Sequence, residues 1–399
     1  MMARVAAQAP PRFVPFAYGF RPFFLLAGWF AVLGMGAWLW LYTTATAWPG
    51  GLPAWQWHGH EMLFGFVTAA IAGFLLTAVP SWTGRRGFAG WPLALLSTTW
   101  LLGRIAFALA GRLPPVVPAL VELAFLPGLA LLVAPPLLRA HNRNTKLLLV
   151  LLALWGADAA FLLGQYRVSP DLAAASLQFA VNVVLLLITV IGGRIVPAFT
   201  ANALRQRGLE VRMRSVKALE RTVVALMVVM LLVDSLFPNT ALAGAVALLA
   251  ALAHAWRLAG WHGHRTLGEP IVWVLHVAYA WLPLGLLLKA AWLLGGFNWA
   301  AFWMHALGTG AAATMILAVM SRAALGHTGR PLQVAPAMPW SYLLLTLAAT
   351  VRVFGSAWLP LGYQGVILLA GCLWIAAFGI YAFVYTPILL KPRVDAKPG

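Results

Sequence analysis

The chain has 399 residues, of which 62% are hydrophobic and 9% charged, and its 27 Lys and Arg against 9 Asp and Glu give a formal net charge of +18. A soluble domain carries about 25% charged residues. With a mean hydropathy of +0.87, this composition excludes an ordinary globular enzyme, a disordered protein and a fibrous one. The basic residues sit in short segments between apolar blocks rather than in one patch, which argues against a nucleic-acid partner and for a lipid bilayer.

Taken in order, twelve apolar blocks occupy 23–42, 58–80, 91–111, 115–139, 147–165, 172–197, 221–237, 240–258, 270–292, 300–321, 340–358 and 364–387. Many are near the ~20 residues a helix needs to cross a hydrocarbon core. The first, Phe23 to Tyr42, is longer than the apolar part of a signal peptide. Ala45-Thr46-Ala47 after it mimics a cleavage site, but the block reads as a retained helix. Pro80, Pro127 and Pro283 fall inside blocks or near their ends and predict kinks. Trp48, Trp55, Trp57, Trp82 and Trp91 cluster near block ends, as interfacial aromatic belts do. The lone cysteine, Cys372, lies in the last block. The chain therefore has no disulfide framework, no CxxC redox pair and no CxxCH for covalent haem.

If the N-terminus is cytoplasmic, 21 of the 27 Lys and Arg fall on the cytoplasmic side. They include Arg4, Arg12 and Arg21, the loop residues Arg85 and Arg86, a run of Arg205, Arg207, Arg212, Arg214, Lys217 and Arg221, and Lys391, Arg393 and Lys397 at the end. Arg104, Arg112, Arg167, Lys289 and Arg352 fall on the outer side. This bias predicts an even number of spans with both ends inside. The expected fold is an all-α polytopic membrane helix bundle of about 12 transmembrane helices, both termini cytoplasmic. It divides into a cytoplasmic N-terminal tail (1–22), helices 1–6 (23–197), a basic cytoplasmic loop (198–220), helices 7–12 (221–388) and a cytoplasmic C-terminal tail (389–399). The expected location is a cytoplasmic membrane, crossed many times.

Ionisable residues at membrane depth are costly and call for a partner or a function. Arg104 and Glu122 fall in the outer third of helices 3 and 4 and are expected to pair. Arg352 and Asp158 read as paired structural charges or a proton path, and Lys289 and Glu269 as helix-end residues that snorkel.

The nine histidines form two groups by depth. His58 and His60 open helix 2 on the outer side, in Trp57-His58-Gly59-His60-Glu61-Met62, and His305 lies one to two turns into helix 10 from that side, beside Met304. In a regular helix His58 and His60 point apart, and an extended stretch at Gly59 would bring them together. His58, Glu61 and Met62, spaced by three and four, share a helical face that offers imidazole, carboxylate and thioether together. An outer metal site from His58 or His60 with His305 is possible, as is an interfacial hydrogen-bonding role. Towards the inner side lie His276 in helix 9, with Tyr279 one turn on, His254 near the end of helix 8, and His327 just past helix 10. His262 and His264 sit in a loop. Arg194, Arg322 and Arg330 come near the same inner face, where cations suit haem propionates and equally lipid phosphates.

Several segments carry a resemblance: Phe20-Arg21-Pro22-Phe23-Phe24-Leu25, Trp57-His58-Gly59-His60-Glu61-Met62-Leu63-Phe64-Gly65, Gly73-Phe74-Leu75-Leu76-Thr77-Ala78-Val79-Pro80 and Gly192-Gly193-Arg194-Ile195-Val196-Pro197-Ala198-Phe199-Thr200. Leu275-His276 with Tyr279-Ala280-Trp281, His305-Ala306-Leu307, Met320-Ser321-Arg322-Ala323 and Leu325-Gly326-His327-Thr328-Gly329-Arg330 continue it in order. Over about 20 to 330 the chain resembles the NnrS family of bacterial membrane proteins, with Ser81 where that pattern has Asn before Trp82-Thr83-Gly84. The resemblance implies non-covalent b-type haem and copper, and a role in relieving nitric-oxide toxicity or in denitrification. The implied partners are nitric oxide or iron–nitrosyl species and an unidentified electron donor. It does not assign a histidine to a metal. Our ligand pool is His58, His60, His276, His305 and His327, with Arg194, Arg322 and Arg330 near propionates. Whether the protein is an enzyme is left open. The rival is a major-facilitator-like secondary transporter, to which twelve spans and Gly84-Arg85-Arg86-Gly87 also point. A quinol-linked cytochrome would need facing histidine pairs.

Overall fold

The computed structural model describes residues 14–46, 52–166, 169–211, 213 and 216–395. Arg4, Arg12, Ala47, Trp48, Arg167, Arg212, Arg214 and Lys397 lie outside them. The described residues form helices and no strand. In chain order the long helical segments are α1 (Phe20–Thr44), α2 (Ala54–Thr83), α3 (Trp91–Ala108), α4 (Val116–Arg139), α5 (Arg143–Tyr166) and α6 (Pro170–Gln206). Then come α7 (Lys217–Leu236), α8 (Ala241–Ala259), α9 (Pro270–Gly295), α10 (Asn298–His327), α11 (Met338–Trp358) and α12 (Gly362–Leu390).

Among the described residues ten of these segments are long and apolar enough to cross a membrane, which makes this a multi-pass membrane protein. The other two fall short because they carry charge: Arg104 lies within α3, and Glu220, Arg221 and Asp234 within α7. Large apolar side chains such as Leu131, Trp256 and Phe383 stand more than 70% exposed on the outside, as contact with lipid permits.

Helices that share an apolar solvent associate through close packing and interhelical hydrogen bonds. The first and last helices show both. Trp374 on α12 donates its indole N–H to the Ala31 carbonyl on α1 at 2.8 Å, and Trp29 on α1 donates to the Thr386 hydroxyl at 3.1 Å. Alternate connections gather at one end with the first and last described residues. Val14 N–H donates to the Leu390 carbonyl (3.1 Å), Asn142 to the Trp82 carbonyl (2.9 Å) and Arg207 to the Arg265 carbonyl (2.9 Å). We call this the terminal end. At the opposite end Gln165 hydrogen-bonds Gln56, and Trp299 stacks on Trp358.

Three boundaries differ from the sequence reading. Helix α2 starts at Ala54, before the expected 58, and is already helical through Gly59. Helix α6 runs on to Gln206, so most of the expected 198–220 loop contracts to the stretch after Gln206 and before Lys217. Thr200 to Gln206 contains no helix breaker, and the chain turns only where Gly208 adopts φ +73°. Helix α4 breaks at Ala124, between its Val116–Leu123 and Phe125–Arg139 halves, because Pro127 has no N–H to offer that turn.

Two π-helical stretches interrupt the bundle, Glu61–Val67 in α2 and Ala306–Ala313 in α10. Each begins directly after a histidine of the outer group, His60 and His305. A π turn inserts an extra residue into the helical ladder and is found frequently at functional sites.

Candidate functional site

The expected outer group divides in two. Because α2 is helical across Gly59, His58 and His60 point apart, and the extended geometry that would have joined them does not occur. His58, half-buried, stacks on Trp38 of α1 with ring centroids 4.6 Å apart, and its Nδ1 is buried without a hydrogen-bond partner. His305 lies within electrostatic reach of His58, although α10 and α2 belong to opposite halves of the chain. Arg352 of α11 acts on both. Its guanidinium sits 4.6 Å over the Phe302 ring and donates to the Tyr363 hydroxyl at 3.2 Å. Arg352 therefore lies at this site, and among the described residues it has no ion pair with an acid. The Met62 Sγ–CH3 end reaches towards α1 near Gly34, one turn from Trp38, on the side that His58 faces.

His60 belongs to a different cluster. Its Nδ1 lies 3.0 Å from Glu61 Oε1 and its Nε2 3.1 Å from Asp158 Oδ1, with Glu122 Oε1 at 4.0 Å. Arg104 donates to Glu61 at 2.6 Å and also pairs with Glu122, as expected from the sequence. All five side chains are buried, and Phe107, Phe161 and Phe64 wall the imidazole at 4.1, 4.7 and 5.1 Å. Glu61 thus does not share a face with His58 and Met62. The π turn that starts at Glu61 changes the helical register there, and the residue turns into the cluster with His60.

At the terminal end, His276 accepts or donates through Nε2 with the Thr200 hydroxyl at 2.7 Å, and its Nδ1 is buried without a partner. Gly263 lets the chain pass over that ring: a Cβ there would come 2.5 Å from His276 Nδ1. Tyr279, one turn on, faces His254 instead, with its hydroxyl 2.7 Å from His254 Nδ1 and 2.9 Å from Arg257 Nη1. His254 is fully buried with an unpartnered Nε2, a feature that depth alone did not single out. His327 packs against the Tyr18 and Phe20 rings at 6.0 and 5.7 Å, and its carbonyl accepts from Arg393. The three expected propionate cations are spread out. Arg194 is exposed and donates to Asn144 Oδ1 at 2.7 Å, and Arg322 lies 4.0 Å over the Phe199 ring. Arg330 is half-buried with an unpartnered Nη1, and burial lowers its guanidinium pKa. A cavity of about 580 Å³ opens at this end between Arg207, Glu269 and Gln333.

Lys289 is a correction. It does not snorkel from a helix end but is 1% exposed, with Nζ 2.5 Å from Asp234 Oδ1 and 4.6 Å over the Trp303 ring. Asn182 donates to the same carboxylate at 2.8 Å. Asp234 was not singled out as its partner, because a carboxylate two residues before a helix end reads as interfacial.

No curated protein matches the chain. The family model described as NnrS protein matches residues 14–393, nearly the whole length, and the histidines gathered above all lie inside that match. This multi-pass helical protein belongs to the NnrS family.

Proposed function

We propose that this protein binds haem and copper in a bacterial inner membrane and serves the nitric-oxide response or denitrification. The topology in this reading is twelve spans with both termini cytoplasmic, α3 and α7 crossing as well as the ten apolar helices. The charges of α3 and α7 support this, since Arg104 and Asp234 are paired within the protein rather than offered to lipid.

One observation carries the reading. His58 and His305, contributed by opposite halves of the chain, lie within electrostatic reach of each other, Met62 extends towards α1 one turn from the Trp38 that His58 stacks on, and His58 keeps a buried, unpartnered ring nitrogen. Neutral imidazole with thioether is a donor set suited to copper. At the terminal end, His276, with its Nδ1 unpartnered, would hold the haem, and Arg322 and Arg330 would supply cations suited to its propionates. His60, His327 and Arg194 complete the pool from which ligands and propionate partners are drawn. When bound, the haem iron supplies a site for nitric oxide, and a redox metal exchanges an electron. The chain's own part is to hold imidazoles in fixed rotamers, as Trp38 does for His58 and Thr200 for His276, and to wall the sites from water.

The test is the reduced-minus-oxidised visible spectrum of the purified protein, with iron and copper quantified on the same sample. A Soret band that shifts on adding nitric oxide is expected. His305→Ala should lower copper and His276→Ala should lower iron, each with normal membrane insertion. A colourless, iron-free protein after expression with ample haem refutes the reading, and transport would then be measured.

A further inference from the structure

The cluster around His60 has an electrostatic deficit that its own side chains do not fill. Glu61, Glu122 and Asp158 face a single guanidinium, Arg104, so with a neutral imidazole the formal sum is −2. His60 sits six residues into α2 and Glu122 six into α4, about 9 Å from the opposite end at ~1.5 Å per residue. At that depth, sealed by three phenylalanine rings, an uncompensated charge is expensive.

The orientation of the imidazole says where compensation goes. Glu61 accepts the His60 Nδ1–H while Arg104 holds the same carboxylate oxygen. Nε2 lies 3.1 Å from Asp158 Oδ1, an acceptor, so this contact is held by a proton on Nε2, and a cation bound there takes that proton's place. A histidine whose far nitrogen is anchored on a carboxylate is the usual outer-shell arrangement of a metal ligand. Nε2, a Glu122 oxygen and an Asp158 oxygen, from three helices, all lie within 4.8 Å of one another. Ligands at ~2.1 Å around a tetrahedral ion are about 3.4 Å apart, and the observed Nε2 separations of 3.1 and 4.0 Å bracket that value. Glu122, 4% exposed, also keeps Oε2 buried and unpartnered while Oε1 holds Arg104. That oxygen packs against Gly103 of α3, where a Cβ would come within 2.7 Å of it.

We propose that His60, Glu122 and Asp158 bind one divalent first-row cation of zinc type, with Glu61 and Arg104 orienting the ligands. One imidazole with carboxylates suits such an ion and suits Cu(I) poorly, so this site is separate from the His58–His305 pair and takes His60 out of the haem and copper ligand pool. Its closed, ring-walled surroundings give it a structural role, tying α2, α4 and α5 together through one ion.

The experiment uses the full-length protein in detergent, stripped with a chelator and titrated with ZnCl2 and, separately, CoCl2. One equivalent of Zn2+ should bind without competition from excess Mg2+, and Co2+ should give the d–d absorption of mixed imidazole and carboxylate ligation. Glu122→Gln and Asp158→Asn keep side-chain shape and should each weaken Zn2+ binding by about 10-fold or more, with iron and copper contents unchanged. Failure of the wild type to take up stoichiometric Zn2+, or absence of the Co2+ band, overturns the proposal and leaves protons as the compensating charge. Wild-type Zn2+ affinity in both variants overturns it as well. None of these outcomes touches the iron, copper and nitric-oxide measurements that test the functional reading.

Discussion

Replacing Lys289 with Met should cost the bundle about 3–5 kcal/mol. Lys289 and Asp234 are 1% and 5% exposed, so neither charge has water to fall back on. The substitution removes the 2.5 Å contact to Asp234 and leaves a buried carboxylate with one donor, Asn182 at 2.8 Å. It also removes the ammonium from the Trp303 face, a contact worth about 0.5–2 kcal/mol. The isosteric double variant Lys289→Met with Asp234→Leu replaces the pair by apolar side chains. It should lie within about 1 kcal/mol of wild type or above it, because the desolvation cost of both charges disappears with their attraction. Unfolding in detergent, followed by the fluorescence of the 20 tryptophans, measures both variants. A thiol-reactive dye does not serve, since Cys372 is exposed in the folded protein. A single variant that loses less than about 1 kcal/mol, or a double variant as unstable as the single, refutes the argument that the pair is held by mutual dependence.

Arg104→Ala leaves Glu61 and Glu122 facing each other without their cation, and a loss of about 3–5 kcal/mol is expected in the same assay, with partial recovery in Arg104→Lys. Unchanged stability with altered activity would instead make Arg104 a functional charge. Gly263→Ala pushes a Cβ to 2.5 Å from His276 Nδ1, so the ring must swing off Thr200, at a cost of about 1–3 kcal/mol and with loss of bound iron. Iron content and melting temperature both at wild-type level would show that the ring has room to spare.

The sequence by itself determined the membrane class, the positions of the apolar helices and the family, because hydropathy over a bilayer-length window and short ordered motifs are local properties. It also paired Arg104 with Glu122, since two opposite charges at one depth in consecutive helices have few other partners within the bilayer. Depth along a helix, however, is not direction around it. His58 and His60 share a depth and part company because α2 is already helical at Ala54, and Glu61 leaves the expected face where the π turn changes the register. Lys289 reads as a residue near a helix end until packing supplies Asp234, fifty-five positions away. His254 and Tyr279 likewise come together only through the contact of α8 with α9. What the tertiary structure decided is which polar atoms are left without partners. Those atoms, Nδ1 of His58 and His276, Nε2 of His254 and Oε2 of Glu122, are defined by the neighbours that packing denies them.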